Sequence, residues 1–317
     1  MASLVSSYRP TANGTDAPYQ PNVSNSNTPK QSGNFPTLKL NDGNEIPVFA
    51  FGVGSALTNG EHILNATSAA IRNGFYHLDG AEVDGNEKAL GDAIKRSGLP
   101  RSQFFVTTKL WTVATTVKAS LDASLERLGL DYVDLYLVHW PQVAKTPDQL
   151  QQIWAEMEAV KQSGKARSIG VSNFVQEHLE TILRTAKVKP AINHVEFHPY
   201  LQHGNLLDFH RQQGIATGAY GTLAPLRKGA PGPVDSIFTS LARKYQVTES
   251  EIAIRWAMDQ GIAVATTSTS EERIQGYSRR IPSFKLSPDE IQEISQLGRQ
   301  KHFRGYFTDI YRDEDRR

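Results

Sequence analysis

The sequence predicts one α/β domain folded as a (β/α)8 TIM barrel, with a β-hairpin in front of it and an aromatic C-terminal segment behind it. Three observations predict this. Eight short apolar runs alternate with segments of helical period, the pattern of βα units feeding a parallel sheet. No Pro-rich linker or shift of composition divides that stretch, and no internal repeat is visible. The 317 residues are enough for one large barrel.

Taken in order, residues 1–33 are rich in Ser, Asn, Thr, Pro and Gly and have no apolar period that could be buried, so they read as a disordered tail ahead of a single domain over 34–317. Phe35 to Leu40 and Glu45 to Val48 are strands joined by the turn Asn41-Asp-Gly-Asn44, a hairpin expected to cover one end of the barrel. The eight barrel strands are expected at Ala50–Val53, Tyr76–Asp79, Phe104–Lys109, Val133–His139, Ala166–Val171, Ala191–Val195, Ile215–Ala219 and Ile262–Ala265. Between them lie helices at Glu61–Asn73, Glu87–Ser97, Thr116–Leu128, Thr146–Ser163, Glu177–Thr185 and Asn205–Gln213, then a longer connection holding Ser236–Tyr245 and Ser250–Met258. After the last strand come Glu271–Ser278 and a helix opened by Ser287-Pro-Asp-Glu290 that runs to about Leu297. Ser before Pro and two acids is a strong helix start.

Composition narrows the function. Lys and Arg total 34 against 33 Asp and Glu, a net charge of +1, so nothing favours nucleic acid or an acidic membrane as partner. With no cysteine, disulfides, thiolate nucleophiles and Cys-held metals are excluded. No apolar run reaches the roughly 20 residues needed to cross a bilayer, and no secretory signal is recognisable. The expectation is a cytoplasmic enzyme, monomer favoured, acting on a small molecule.

A barrel of this kind builds its site at the C-terminal ends of its strands. Asp79 ends the second, Lys109 the third and His139 the fourth; Ser172 and Asn173 come after the fifth. His194 and Glu196 sit on the sixth, Tyr220 ends the seventh, and Thr266, Thr267 and Ser268 come after the eighth. Singly, such residues are helix caps or satisfied core groups. Together, an acid, an amine and an imidazole at three adjacent strand ends suit proton delivery to a carbonyl: an Asp–Lys pair can tune a third group, and a neutral His can orient the oxygen.

Five segments carry a resemblance. Gly74-Phe-Tyr-His-Leu-Asp79-Gly-Ala-Glu-Val-Asp84-Gly-Asn-Glu87, Thr108-Lys109-Leu-Trp111, Asp134-Leu-Tyr-Leu-Val-His139-Trp-Pro141, Gly170-Val-Ser-Asn-Phe174 and Asn193-His-Val-Glu-Phe-His-Pro-Tyr200 resemble the aldo-keto reductase family in order and spacing. The resemblance spans Phe35 to Tyr311, and the Ala-Glu-Val and Thr-Thr-Ser forms look most like its fungal members. It implies reduction of an aldehyde or ketone by hydride transfer from NADPH, bound without a Rossmann fold.

The family's catalytic Asp, Lys and His fall on Asp79, Lys109 and His139, but its tyrosine position is Asp84. A phenol there protonates the developing alkoxide. An Asp is shorter and, from a reference pKa of about 3.9, is ionised near pH 7. Three readings are open: a changed residue in an ordinary reductase, with Asp84 or a water supplying the proton; an acid or base adapted to isomerisation, cyclisation or dehydration of a carbonyl-containing secondary metabolite; or a silent NADP(H) binder. Two carboxylates beside one lysine can share a proton and raise one pKa.

By resemblance, Ser172, Asn173 and His194 are expected to hold the nicotinamide carboxamide, with His194 standing where a glutamine is usual. Tyr220 is expected to stack on the ring, and Ser55 and Leu223 to border the cofactor. Thr267, standing where a lysine often meets the 2′-phosphate, is expected to border the cofactor with Ser268, and Arg273 to bind the phosphate near a helix N-terminus. The substrate pocket is expected from Trp111, Trp140, Phe303 and Tyr306, opened at Ala56 where many members carry a tryptophan. His194, Glu196 and His198 alternate along a strand, but the segment fits the family pattern without metal, and no metal is expected. Gly52-Val-Gly54 lacks the third glycine of a dinucleotide fingerprint and reads as barrel strand.

Overall fold

The computed structural model describes residues 35–54, 60–113, 115–308, 310, 311, 315 and 316. The tail over 1–33 and the positions Ser55 and Ala56 lie outside the described residues.

The described residues form a closed barrel of eight parallel strands behind an antiparallel hairpin. The hairpin pairs β1 (Thr37–Lys39) with β2 (Glu45–Pro47). The barrel strands are β3 (Phe49–Gly52), β4 (His77–Asp79), β5 (Phe105–Leu110), β6 (Val133–Val138), β7 (Ala166–Ser172), β8 (Ile192–Glu196), β9 (Ala216–Tyr220) and β10 (Ala263–Thr266). Each pairs with the next, and β10 closes on β3. Both faces of such strands are covered, which is why Val133–Val138 and Phe105–Leu110 are buried at every residue.

Helices α1 (Gly60–Arg72), α2 (Glu87–Ser97), α3 (Val117–Leu128), α4 (Pro147–Gln162), α5 (Gln176–Leu183) and α6 (Leu206–Gln213) come after β3 to β8 in turn. α7 (Asp235–Tyr245) and α8 (Glu249–Met258) fill the β9–β10 connection, and α9 (Glu271–Arg280) and α10 (Pro288–Gly298) come last. Their starts are written locally. Thr146 accepts from the Gln149 amide with Pro147 in the first turn, and Thr248–Glu251 and Ser287–Glu290 are reciprocal capping boxes.

The core has two parts. The larger lies between barrel and helices and includes Phe49, Phe75, Tyr136, Trp154 and Trp256. The smaller fills the N-terminal end of the barrel with Leu40, Ile46, Phe105, Leu135, Leu137 and Ile192. The hairpin supplies two of these residues, and Asn41 and Asn44 bind the Pro190 and Arg167 carbonyls. The hairpin therefore caps that end, and only the opposite, C-terminal end is available for chemistry.

Candidate active site

Period-2 alternation turns His77 and Asp79 of β4 into the barrel, with Thr107 and Lys109 of β5 on the same side. Lys109 Nζ donates to Asp79 Oδ1 at 2.5 Å and to the Gly80 carbonyl at 2.8 Å. Both side chains are about one-tenth exposed, 8% for Lys109 and 10% for Asp79. Burial alone would raise the Asp79 carboxyl, but the Lys109 ammonium overrides it and holds the group below its ordinary value. Beneath this pair a void of only about 10 Å³, bordered by His77, Thr107 and His194, leaves the barrel interior packed.

Asp84 lies in the 3-10 turn Glu82–Asp84 between β4 and α2. Two side chains set that loop. Buried Asn86 accepts from the Ala81 amide and donates to the Val53 carbonyl, while Glu82 accepts from the Trp111 amide. The turn is thus tied to the ends of both β3 and β5. Among the described residues nothing donates a hydrogen bond to the half-buried Asp84 carboxylate. Burial raises its pKa, Lys109 opposes this, and the charge on Asp79 adds to the rise.

His139 stands just past β6. Its Nδ1 is buried without a hydrogen-bond partner. Burial, then the nearby Lys109, push its pKa down to about 3, so the imidazole is neutral at physiological pH. Around it stand Trp111, edge-on at 5.3 Å between ring centroids, and Phe307 at 6.4 Å. Trp140 stacks on Trp111 at 4.3 Å and donates its indole N–H to the Trp111 carbonyl.

The sites expected for a carboxamide form one network. Ser172 Oγ donates to the His194 carbonyl, and Asn173 Nδ2 donates to Ser172 Oγ and to the His139 carbonyl. Tyr220 OH donates to Asn173 Oδ1 at 2.5 Å. The His194 ring stands beside this network, edge-on to Tyr220 at 6.1 Å between centroids, with Nδ1 4.0 Å from Asp79 Oδ2. It lies against Gly218 of β9, where a Cβ would come within 2.1 Å of His194 Cδ2. His194 is pushed down to about 4, mainly by burial. The 4.0 Å contact is therefore between a carboxylate and a neutral ring.

The C-terminal segment closes over this end. Glu196 accepts from the Gly305 and Tyr306 amides at 2.7 and 3.1 Å and from His198 Nε2 at 3.1 Å. Tyr311 OH donates to the Asn173 carbonyl. Tyr306 packs edge-on against Tyr220, at 5.3 Å. Phe303 instead packs near His198 and Gly229. Glu196 was expected at a strand end but with no role in holding this segment, and Phe307 and Tyr311 were not among the expected pocket residues. The signal for Phe307 was present in the aromatic run Phe303-Arg-Gly-Tyr-Phe307, but nothing local says which of its rings turns inward.

At the β10 side, Arg273 opens α9 and donates to Ser268 Oγ at 3.0 Å, and Thr267 Oγ1 is buried without a partner. Leu223 is buried at the start of the 3-10 turn Ala224–Leu226 after β9. Arg227 comes next, and both Arg227 and Arg273 act electrostatically on Tyr277. Neither guanidinium has a carboxylate partner among the described residues. No group of three His, Asp or Glu able to hold a metal occurs among the described residues. A groove of about 730 Å³ lies outside the barrel near Trp154, Glu158 and Lys187. There Glu158 already accepts from the Lys187 and Val188 amides, and none of the strand-end residues borders it.

Residues 49–299 match the model of the Aldo/keto reductase family. The chain belongs to that family. It is 38% identical over 275 residues to an NAD/NADP-dependent indole-3-acetaldehyde reductase of Schizosaccharomyces pombe, covering 83% of this chain and 96% of that one. It is 37% identical over 268 residues to a glyoxal reductase of Bacillus subtilis, covering 84% and 94%. Among solved structures, an aldo-keto reductase of Bombyx mori in complex with NADP superposes with a TM-score of 0.79 at 32% identity, covering 88% and 97%. As an aldo-keto reductase the protein is an NAD(P)-dependent oxidoreductase acting on carbonyl compounds. Arg227 and Arg273, which have no carboxylate partner among the described residues, and the Thr267 hydroxyl are groups that could hold an anionic cofactor.

Proposed function

We propose that this aldo-keto reductase reduces an aldehyde or ketone by hydride transfer from NADPH, with Asp84 or a water in place of the usual tyrosine. The observation that carries the reading is the buried Asp79–Lys109 pair beside a neutral His139. The cofactor supplies the hydride when bound. Ser172 and Asn173 would hold its carboxamide, Tyr220 its ring, and Arg273 with Ser268 its 2′-phosphate. The last pairing supports NADPH over NADH, because a guanidinium at a helix N-terminus prefers the extra dianion.

His139 orients the carbonyl oxygen through a ring nitrogen that carries no other bond. Lys109, fixed by Asp79 and the Gly80 carbonyl, has a third N–H to spare and would polarise the same oxygen. Burial raises the pKa of Asp84 above its ordinary value, the direction a general acid requires. The same feature supports a second reading, a non-redox isomerase, cyclase or dehydratase in which Asp84 moves protons without hydride. Among the described residues no helix is long and apolar enough to cross a membrane. We place the enzyme in the cytoplasm as a monomer.

The test is to bind NADPH to the purified protein, followed by cofactor fluorescence, and then to follow loss of nicotinamide absorbance with small aldehydes and ketones. Turnover supports the reductase. Tight binding with no turnover, but conversion of a carbonyl compound without cofactor consumption, overturns it in favour of the non-redox reading.

A further inference from the structure

We infer that the reacting centre this site accepts best is cationic: an iminium or protonated imine, held between Asp84 and the aromatic wall of Trp111, Trp140 and Phe307. The inference rests on the hydride-transfer reading and names its substrate class.

Charge is the first argument. With tyrosine at position 84 the catalytic group would be neutral as a whole, one carboxylate on Asp79 against one ammonium on Lys109. Asp84 adds a carboxylate without adding a partner: it has no ion pair or hydrogen bond among the described residues, whereas Asp79 is already bound to Lys109. The charged groups facing it are Lys109 of β5 and Asp79 of β4. His139 after β6 and His194 of β8, which flank that pair, are neutral. The ionised site therefore carries a net charge of −1 in partly buried surroundings. An alkoxide forming there would be repelled; a cation would be attracted.

The walls agree with that sign. Trp111 lies 4.3 Å from Trp140 and 6.4 Å from Phe307, and the indole N–H of Trp140 is consumed by the Trp111 carbonyl. What these rings offer is π surface, which favours cations over neutral polar groups.

The chemistry also removes the difficulty that Asp84 creates. Reducing a ketone turns the C=O π pair into an alkoxide that needs a proton, and the usual donor is missing. In an iminium the hydride forms the new C–H bond, and the C=N π pair becomes the nitrogen lone pair of a neutral amine. The dihydronicotinamide is oxidised to its cationic form. No proton is required at the moment of transfer, and charge balances on both sides. Asp84 stabilises the substrate cation and, for an imine, keeps it protonated; the absent phenol has no step to perform.

The experiment compares N-methyl-3,4-dihydroisoquinolinium, permanently charged, with the neutral bicyclic ketone 1-tetralone, using the full chain. Affinity is read by calorimetry and turnover by NADPH absorbance. The iminium is expected to bind about ten-fold tighter than the ketone, and Asp84→Asn to abolish the difference. In the unsubstituted protein, iminium affinity is expected to fall as pH falls through the Asp84 titration while ketone affinity stays level, a readout that needs no variant to fold. Equal affinity for the two in both proteins, or turnover of the ketone with none of the iminium, overturns the inference and leaves the reductase standing. NADPH binding with turnover of neither removes the hydride-transfer reading and the inference with it.

Discussion

Lys109 Nζ and Asp79 Oδ1 stand 2.5 Å apart inside the barrel, and the Gly80 carbonyl takes a second lysine proton. Such a pair holds its geometry because either charge alone would be buried without a counterion. Asp79→Asn leaves the ammonium in that position, and the expected loss of stability is about 3–5 kcal/mol. Asp79→Asn with Lys109→Met removes both charges and should recover much of it, while neither protein reduces an aldehyde at the original rate. Urea unfolding of the three proteins checks this. A single variant as stable as the original would show that the pair does not act as a buried partnership.

Asp84 occupies the place of a proton donor without the reach of one. Asp84→Tyr should raise kcat/KM for a simple aldehyde at least ten-fold, a cautious figure for a general acid, which contributes roughly 10²–10⁴. Steady-state kinetics with NADPH are the measurement. Retained NADPH binding with no gain would mean that the tyrosine is not the only missing part.

Much of the site was legible in the chain because the barrel writes its chemistry at strand ends. Lys109 and His139 close apolar runs, and Asp79 precedes a loop whose spacing exposed the change at position 84. Strand positions were legible for the same reason: a doubly buried strand such as Val133–Val138 is apolar nearly throughout. The side-chain direction of His194 was not legible. It depends on Gly218, a residue of the neighbouring strand that leaves room for the ring. Nor was the tail: Glu196 meets Gly305 across 109 positions, and a buried carboxylate accepting backbone amides has no local sequence signature. Arg227 was missed because its place beside Tyr277 comes from the β9–β10 crossover.

Histidines held neutral by their surroundings set the acid response, among them buried His77, which burial pushes below its ordinary value. His139 and His210 are pushed down to about 3 and His194 to about 4, each mainly by burial. The His210 ring is held at both nitrogens, by Asn193 Nδ2 and Thr217 Oγ1. An unfolded histidine takes its proton near pH 6.5, while these folded ones refuse it until about pH 3–4. Stability is therefore complete above about pH 6.5 and drains away as pH falls toward those values, at about 2 kcal/mol per fully buried histidine between about pH 7 and 5. Urea midpoints at about pH 7, 6 and 5 measure the slope, and His210→Gln should flatten it. A midpoint that holds level across that range would contradict the neutral, buried assignment.

Gly218 offers the sharpest test of the His194 placement. A methyl group there would sit 2.1 Å from His194 Cδ2 and 2.9 Å from Nε2, closer than any side-chain carbon tolerates, and the ring cannot retreat because Asp79 and the packed barrel interior lie beyond it. Gly218→Ala should cost about 1–3 kcal/mol, the usual penalty of overpacking. His194→Ala would by itself leave a cavity and an altered contact to Asp79. The pair of changes together should be less damaging than the sum of the two, because the new methyl fills space that the imidazole vacates. A double-mutant cycle by urea unfolding reads the coupling directly. Additive losses would place the His194 ring away from Gly218, and with it away from the Asp79–Lys109 pair.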